Sequence, residues 1–311
     1  MSYILYFSEY YYGTEIVHAI KTEKNIMLVN KILVPTELNE LSDIALDFAI
    51  DLAKQIQIDE IVLLNIIIPA HVQTLTASGE AIDAKGKLAV QLNDKIMKQH
   101  EELINKQANQ HAGSHVKINP FVRFNYSKSD LNQYMKEFKA DLIISGSRDK
   151  FSFMEILFGS STEKLIRKIN YPMIIIKEEP VKTEIREIAL AIDITEGEEQ
   201  DGIDEIIAFS GLLNARLQLV HVLTGDKPEA TLAIDTLQKI AKREKIKNYA
   251  INVVDNHSLE DALHSFARIQ NPDMIALLNQ GKGKLHKLIF GSNTEDVLKE
   301  TEKPVFIGKM Q

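Results

Sequence analysis

The sequence predicts an α/β protein of two doubly wound, five-stranded parallel sheets, each in strand order 3-2-1-4-5, packed as an intramolecular pseudo-dimer. Three observations carry this expectation. The tail of the chain reads twice: Gly159-Ser160-Ser161-Thr162-Glu163 followed by Tyr171-Pro172-Met173-Ile174-Ile175-Ile176 returns as Gly291-Ser292-Asn293-Thr294-Glu295 followed by Lys303-Pro304-Val305-Phe306-Ile307. The separation stays at 132 positions for Gly159 and Gly291, Pro172 and Pro304, and Asp141 and Asp273, which marks a duplicated unit. Within each unit, short β-branched runs alternate with amphipathic helical patterns, and such alternation requires right-handed crossovers and hence a parallel sheet.

In the first half, Lys31 to Pro35 and Glu60 to Ile66 are near-continuous apolar runs, as expected of strands buried on both faces. Between them Ile44, Ala45, Phe48, Ala49, Leu52 and Ala53 recur at helical spacing, with Ser42 as the expected N-cap. The polar stretch from Ile82 to Asn109 predicts a second helix, followed by a strand over Val116 to Phe124 and a helix over Leu131 to Phe138. A fourth strand follows over Asp141 to Ser145, a helix over Ser160 to Ile169 and a fifth strand over Pro172 to Ile176.

The second half repeats the pattern. Strands are expected over Ile188 to Ile192, Leu217 to Val222, Ala250 to Val254, Met274 to Leu278 and Val305 to Ile307. Helices are expected over Ile203 to Leu213, Ala230 to Glu244, Leu259 to Ile269 and Ser292 to Leu298. Glu37 matches Asp193 at an offset of 156, so the first half carries 24 extra residues, placed around its second helix. The domains are therefore read as 29–180 and 185–311, joined by a linker at Thr183 to Arg186. Residues 1–28 lie outside the repeat and read as a peripheral extension, or alternatively as an added helix or partner-binding arm. They lack the basic start and small-residue cleavage site of a secretory signal.

Composition narrows the function classes. A net charge of −8 over 311 residues opposes bulk attraction to nucleic acid or anionic lipid. The absence of cysteine excludes disulfides, thiolate metal sites and cysteine nucleophiles, and fits a cytoplasmic protein. Apolar runs are too short for a membrane span.

Open sheets of this kind bind ligands beyond the carboxyl ends of the strands, where strands one and four diverge. Those ends carry Pro35, Thr36 and Glu37 with Gly146, Ser147 and Arg148 in the first half, and Asp193 with Leu278 and Asn279 in the second. Downstream, Gly159-Ser160-Ser161 and Gly291-Ser292 begin helices whose free N–H groups suit an anion. Both also spell S-x-x-E, the capping box that any helix start favours.

At these residues the chain resembles the universal stress protein family, as a tandem of two Rossmann-like domains. The family's phosphate motif is Gly, two residues, Gly, nine residues, Gly and Ser or Thr. The first half has Gly146, Asp149 and Gly159-Ser160 at that spacing, the second Leu278, Gly281 and Gly291-Ser292, so each copy keeps the spacing and loses one glycine. Glu37 stands where ATP-binding members have Asp, and Asn65 stands where Leu219-Val220-His221-Val222 has His221. The resemblance implies a triphosphate on the loop amides, with Glu37 and Ile66, or Asp193 and Val222, on the nucleoside side. Asp149 and Leu278 are departures, one adding a carboxylate and the other a bulky side chain. No nucleophile elbow, GxxxxGK[ST] loop, metal-ligand set or general base stands out.

The expectation is a non-enzymatic, cytoplasmic stress-response regulator that binds ATP weakly in at most one half. The alternative is a degenerate module without nucleotide that acts through protein association. The partners expected are an adenine nucleotide, an unidentified protein and, beyond the pseudo-dimer, a second copy of the chain.

Overall fold

The computed structural model describes residues 10–12, 15–17, 29–67, 73–75, 81–83, 87–125, 131–146, 170–177, 184–192, 194, 202–223, 230–255, 259–277 and 303–308. A short antiparallel pair, β1 (Tyr10–Tyr12) and β2 (Glu15–Val17), precedes the first half. That half then runs β3 (Ile32–Thr36), α1 (Glu40–Gln55), β4 (Glu60–Ile67), β5 (Gln73–Leu75), β6 (Ala81–Asp83), α2 (Lys87–Asn109), β7 (Lys117–Phe124), α3 (Leu131–Phe138), β8 (Leu142–Gly146) and β9 (Met173–Ile176). The second half runs β10 (Glu187–Ala191), α4 (Ile203–Leu213), β11 (Arg216–Leu223), α5 (Ala230–Arg243), β12 (Tyr249–Asp255), α6 (Leu259–Gln270), β13 (Met274–Leu277) and β14 (Val305–Ile307).

Among the described residues, ten strands join one sheet in the order β12-β11-β10-β13-β14-β9-β8-β3-β4-β7. Each half contributes five strands in order 3-2-1-4-5, parallel throughout. The halves meet where their fifth strands pair antiparallel, Val305 opposite Ile175, Phe306 opposite Ile174 and Ile307 opposite Met173. Every residue of β9 and β14 is buried, because each strand is now interior and neither apolar edge faces solvent.

One core face spans both halves. It gathers Ala45, Leu46, Phe48 and Ala49 of α1, Ile104 of α2, Ile206 and Phe209 of α4 and Leu237 and Ile240 of α5 over Ile32, Ile174, Leu190 and Phe306. Phe209 stacks on Phe306 with ring centroids 4.6 Å apart. The opposite face is covered by Leu131, Tyr134 and Met135 of α3 and Leu263 and Phe266 of α6. Gln55, at the end of α1, crosses between halves: its Nε2 donates to the carbonyls of Ile185 at 2.8 Å and Leu213 at 3.3 Å, and its Oε1 accepts from the Ile185 N–H at 3.0 Å.

Two local expectations change. The N-cap of α1 is Asn39, whose Oδ1 accepts from the Ser42 N–H at 2.9 Å; Ser42 lies inside the first turn and points its hydroxyl back to the same oxygen at 2.8 Å. Both residue types can cap, and Asn39 has the extended backbone that a cap needs, φ −122 and ψ 170. The second helix begins at Lys87 rather than Ile82, since Ala81–Asp83 pairs with Gln73–Leu75 as a short antiparallel ribbon. The expected helices over Ser160 to Ile169 and Ser292 to Leu298 lie outside the described residues. Among the described residues no helix is long and apolar enough to cross a membrane.

Candidate functional site

The duplication is visible in hydrogen bonds at the amino ends of the strands. Asp141 Oδ2, just before β8, accepts from the N–H groups of Asn30 at 2.8 Å and Lys31 at 3.3 Å. Asp273 Oδ2, just before β13, accepts from Arg186 at 2.9 Å and Glu187 at 3.0 Å. The two repeated aspartates thus tie strand four to the start of strand one, at the end of the sheet opposite the crevice. Burial holds the Asp141 carboxyl above its ordinary range, against the lowering pull of its two N–H donors.

At the carboxyl ends, Thr36 closes β3 and Gly146 closes β8, two adjacent parallel strands. Pro35 pairs with Leu64 and Thr36 with Asn65 in register, and Glu37 follows directly. The crevice at this switch point therefore brings together Pro35, Thr36, Glu37 and Gly146, while Ile66 lies buried further along β4. Val222 lies buried in β11 of the second half. Ser147, Arg148, Gly159, Ser160, Ser161, Asp193, Gly281, Gly291 and Ser292 lie outside the described residues.

The first crevice is braced by its own side chains. Thr36 is buried; its hydroxyl donates to Gln107 Oε1 at 2.9 Å and accepts from the Leu38 N–H at 2.9 Å. Gln107 Nε2 goes on to Asp43 Oδ1 at 2.6 Å, joining α2 to α1. Asn65 donates to the Thr36 carbonyl at 2.7 Å and accepts at Oδ1 from His100 Nδ1 at 2.7 Å. The Glu37 N–H donates to Ser42 Oγ at 3.0 Å, and Glu37 Oε2 accepts from Asn39 Nδ2 at 3.1 Å. Leu38 adopts φ 60, a left-handed conformation unusual for Leu, held by the bond from its N–H to Thr36.

Gly146 is needed for packing. A Cβ there would lie 2.7 Å from Leu41 Cγ and 2.8 Å from the Leu41 carbonyl oxygen, so the first turn of α1 fills the space a side chain would take. The offsets that relate the halves pair Leu41 with Gly197 and Gly146 with Leu278, so in sequence the large and small residues are exchanged.

Gln107, His100 and Leu41 escaped sequence reasoning because each meets a partner far along the chain. Asn65 carried a signal, since it stands at the place of His221, whose Nδ1 lies 2.9 Å from the Ile192 carbonyl. Further along α1, burial raises the Asp47 carboxyl above its ordinary range, while His111 at 3.5 Å pulls the other way. Among the described residues no cluster of three or more His, Cys, Asp or Glu side chains could hold a metal ion.

The fold and this switch-point crevice define a class: a tandem Rossmann-like protein of two fused, equivalent modules. The universal stress protein family model matches twice, over residues 29–177 and 184–309, and the chain belongs to that family. A universal stress protein of Methanocaldococcus jannaschii is 26% identical over 159 residues, covering 49% of this chain and 96% of its own length. A universal stress protein structure from Archaeoglobus fulgidus superposes over 90% of this chain and 96% of its own, with a TM-score of 0.63 at 21% identity. One from Pseudomonas aeruginosa matches over 90% and 93%, with a TM-score of 0.53 at 16% identity. At these identities the structures speak for the fold, and the tandem arrangement is shared along nearly the whole chain.

Proposed function

We propose that this protein is a non-enzymatic, cytoplasmic stress-response regulator that binds an adenine nucleotide weakly, in at most one half. The observation that carries the reading is the crevice of the first half. It sits at the switch between β3 and β8, where open parallel sheets take ligands, yet the Thr36 hydroxyl, the Glu37 amide and Glu37 Oε2 already have partners. A nucleoside using Glu37 must displace Asn39 from its carboxylate, and the amides of Glu37 and Leu38 are already engaged. Exchanging one hydrogen bond for another yields little net free energy, which supports weak binding. The polar side chains at this end hold the fold together, which supports a role without catalysis.

The same bracing favours a second reading, a module that carries no nucleotide and acts through protein association. Mass spectrometry of small molecules released from purified protein separates the two. Substoichiometric adenine nucleotide supports the first reading and none supports the second. Two nucleotides per chain, or phosphate release above background on adding ATP, would count against both.

A further inference from the structure

Among the described residues the ten-stranded sheet ends in β7 on one side and β12 on the other, and the two edges differ. Edge strand β7 is bonded to β4, with the Lys117 N–H donating to the Asp59 carbonyl, so Lys117, Asn119, Phe121 and Arg123 turn their backbone groups inward. The outward positions are then Ile118, Pro120, Val122 and Phe124, and proline at one of them removes a donor from that edge. Edge strand β12 is bonded to β11, with the Leu217 N–H donating to the Asn248 carbonyl, so Tyr249, Ile251, Val253 and Asp255 face their backbone groups outward. Strand register places Ile251 where β7 has Pro120: Ile61 pairs with Ile118 and its counterpart Leu217 with Tyr249. Over its seven residues β12 carries no proline. Among the described residues it is paired on one side only.

We propose that β12 is a docking edge for a second copy of this chain, joining two ten-stranded sheets by antiparallel β12–β12 pairing about a two-fold axis at Ile251. The strand is self-complementary. With Ile251 on the axis, Tyr249 faces Val253 of the second copy, and Lys247 faces Asp255 at both ends. Both charged residues are exposed, and the strand is flanked by bases before it and an acid at its end. Opposite charges directly across an antiparallel pair stabilise it, whereas parallel pairing would set like ends together. Tyr249, Ile251 and Val253 are each only partly buried, against the cluster that α5 covers, so apolar surface accompanies the edge. Pro120 at the other edge leaves no equivalent surface for head-to-tail growth, which makes a closed dimer the outcome rather than a fibre. This proposal does not depend on whether either crevice takes a nucleotide.

The test is sedimentation equilibrium of the full chain at micromolar to high-micromolar concentration. Wild type is expected to dimerise. Ile251→Pro, which removes an N–H that bonds nothing within the described chain, is expected to be monomeric with an unchanged circular dichroism spectrum. Lys247→Asp and Asp255→Lys alone are each expected to weaken the dimer about tenfold, since each reverses two symmetric pairs, and together to restore it. A wild type that stays monomeric overturns the proposal, as does a dimer indifferent to Ile251→Pro or a double variant that shows no rescue. The charge variants alter exposed side chains, so they decide the matter even if Ile251→Pro does not fold.

Discussion

Asn65 and His221 stand at equivalent places in the two halves and make equivalent bonds. Asn65 Nδ2 donates to the Thr36 carbonyl at 2.7 Å, and His221 Nδ1 reaches the Ile192 carbonyl at 2.9 Å. A carbonyl only accepts, so His221 carries its proton on Nδ1. Both side chains are buried, and each fastens strand two to the end of strand one. His221→Asn should therefore be tolerated within about 1 kcal/mol, while His221→Leu and Asn65→Leu should each cost about 1–3 kcal/mol by orphaning a buried carbonyl. Urea denaturation of the three variants checks this. Equal losses for His221→Asn and His221→Leu would show that shape, not the bond, matters there.

Gly146 and Leu41 should behave as a pair. Gly146→Ala places a methyl 2.7 Å from Leu41 Cγ and 2.8 Å from the Leu41 carbonyl oxygen, and the expected cost is about 1–3 kcal/mol. Leu41→Ala in the same chain removes the side-chain clash but leaves the carbonyl, so the double variant should recover part of the loss. Strict additivity in a double-mutant cycle would mean that the two residues do not contend for one space.

Gln55 ties the halves through three hydrogen bonds to Ile185 and Leu213. Gln55→Ala should destabilise the protein by about 1–3 kcal/mol. Gln55→Glu keeps the acceptor for the Ile185 N–H but loses the donor, and should fall at least as far because a carboxylate then faces two carbonyls. Denaturation midpoints decide it, and an unchanged midpoint in both variants would remove Gln55 from the junction.

Asp141 gives a pH signature. Its folded-state pKa is raised above the ordinary 3.8, chiefly by burial, so the folded protein holds this proton more tightly than the unfolded chain. The resulting contribution to stability is full below 3.8 and is lost as pH rises through the raised value. Compared with Asp141→Asn, wild type should lose stability between pH about 3.8 and neutrality. Paired urea titrations across that range test the sign, and a difference that grows in the opposite direction refutes it.

The architecture was legible because it rests on local signals: apolar runs for buried strands, helical spacing for α1 and a repeat that fixed two units. The repeat even marked Asp141 and Asp273, although only the structure gives their reason, a bond to the backbone 110 and 111 positions away for Asp141. Residue type alone does not separate Ser42 from Asn39, three residues earlier, as the cap of α1, because both are good capping types; the extended backbone at Asn39 decides it. The bracing of the crevice was not legible. Gln107 lies 71 positions from Thr36 and His100 lies 35 from Asn65, and nothing in their local sequence distinguishes them from solvent-facing polar residues of α2.

Calorimetric titration of ATP into the full chain, with Glu37→Ala and Asp193→Ala beside it, tests the central reading most directly. The expected result is at most one weak site per chain, abolished by Glu37→Ala and unaffected by Asp193→Ala, since the second half carries an acidic run from Glu196 to Asp201 just after Asp193, which opposes a polyanion. Two sites of similar affinity, or a single site lost with Asp193→Ala and kept with Glu37→Ala, would contradict it.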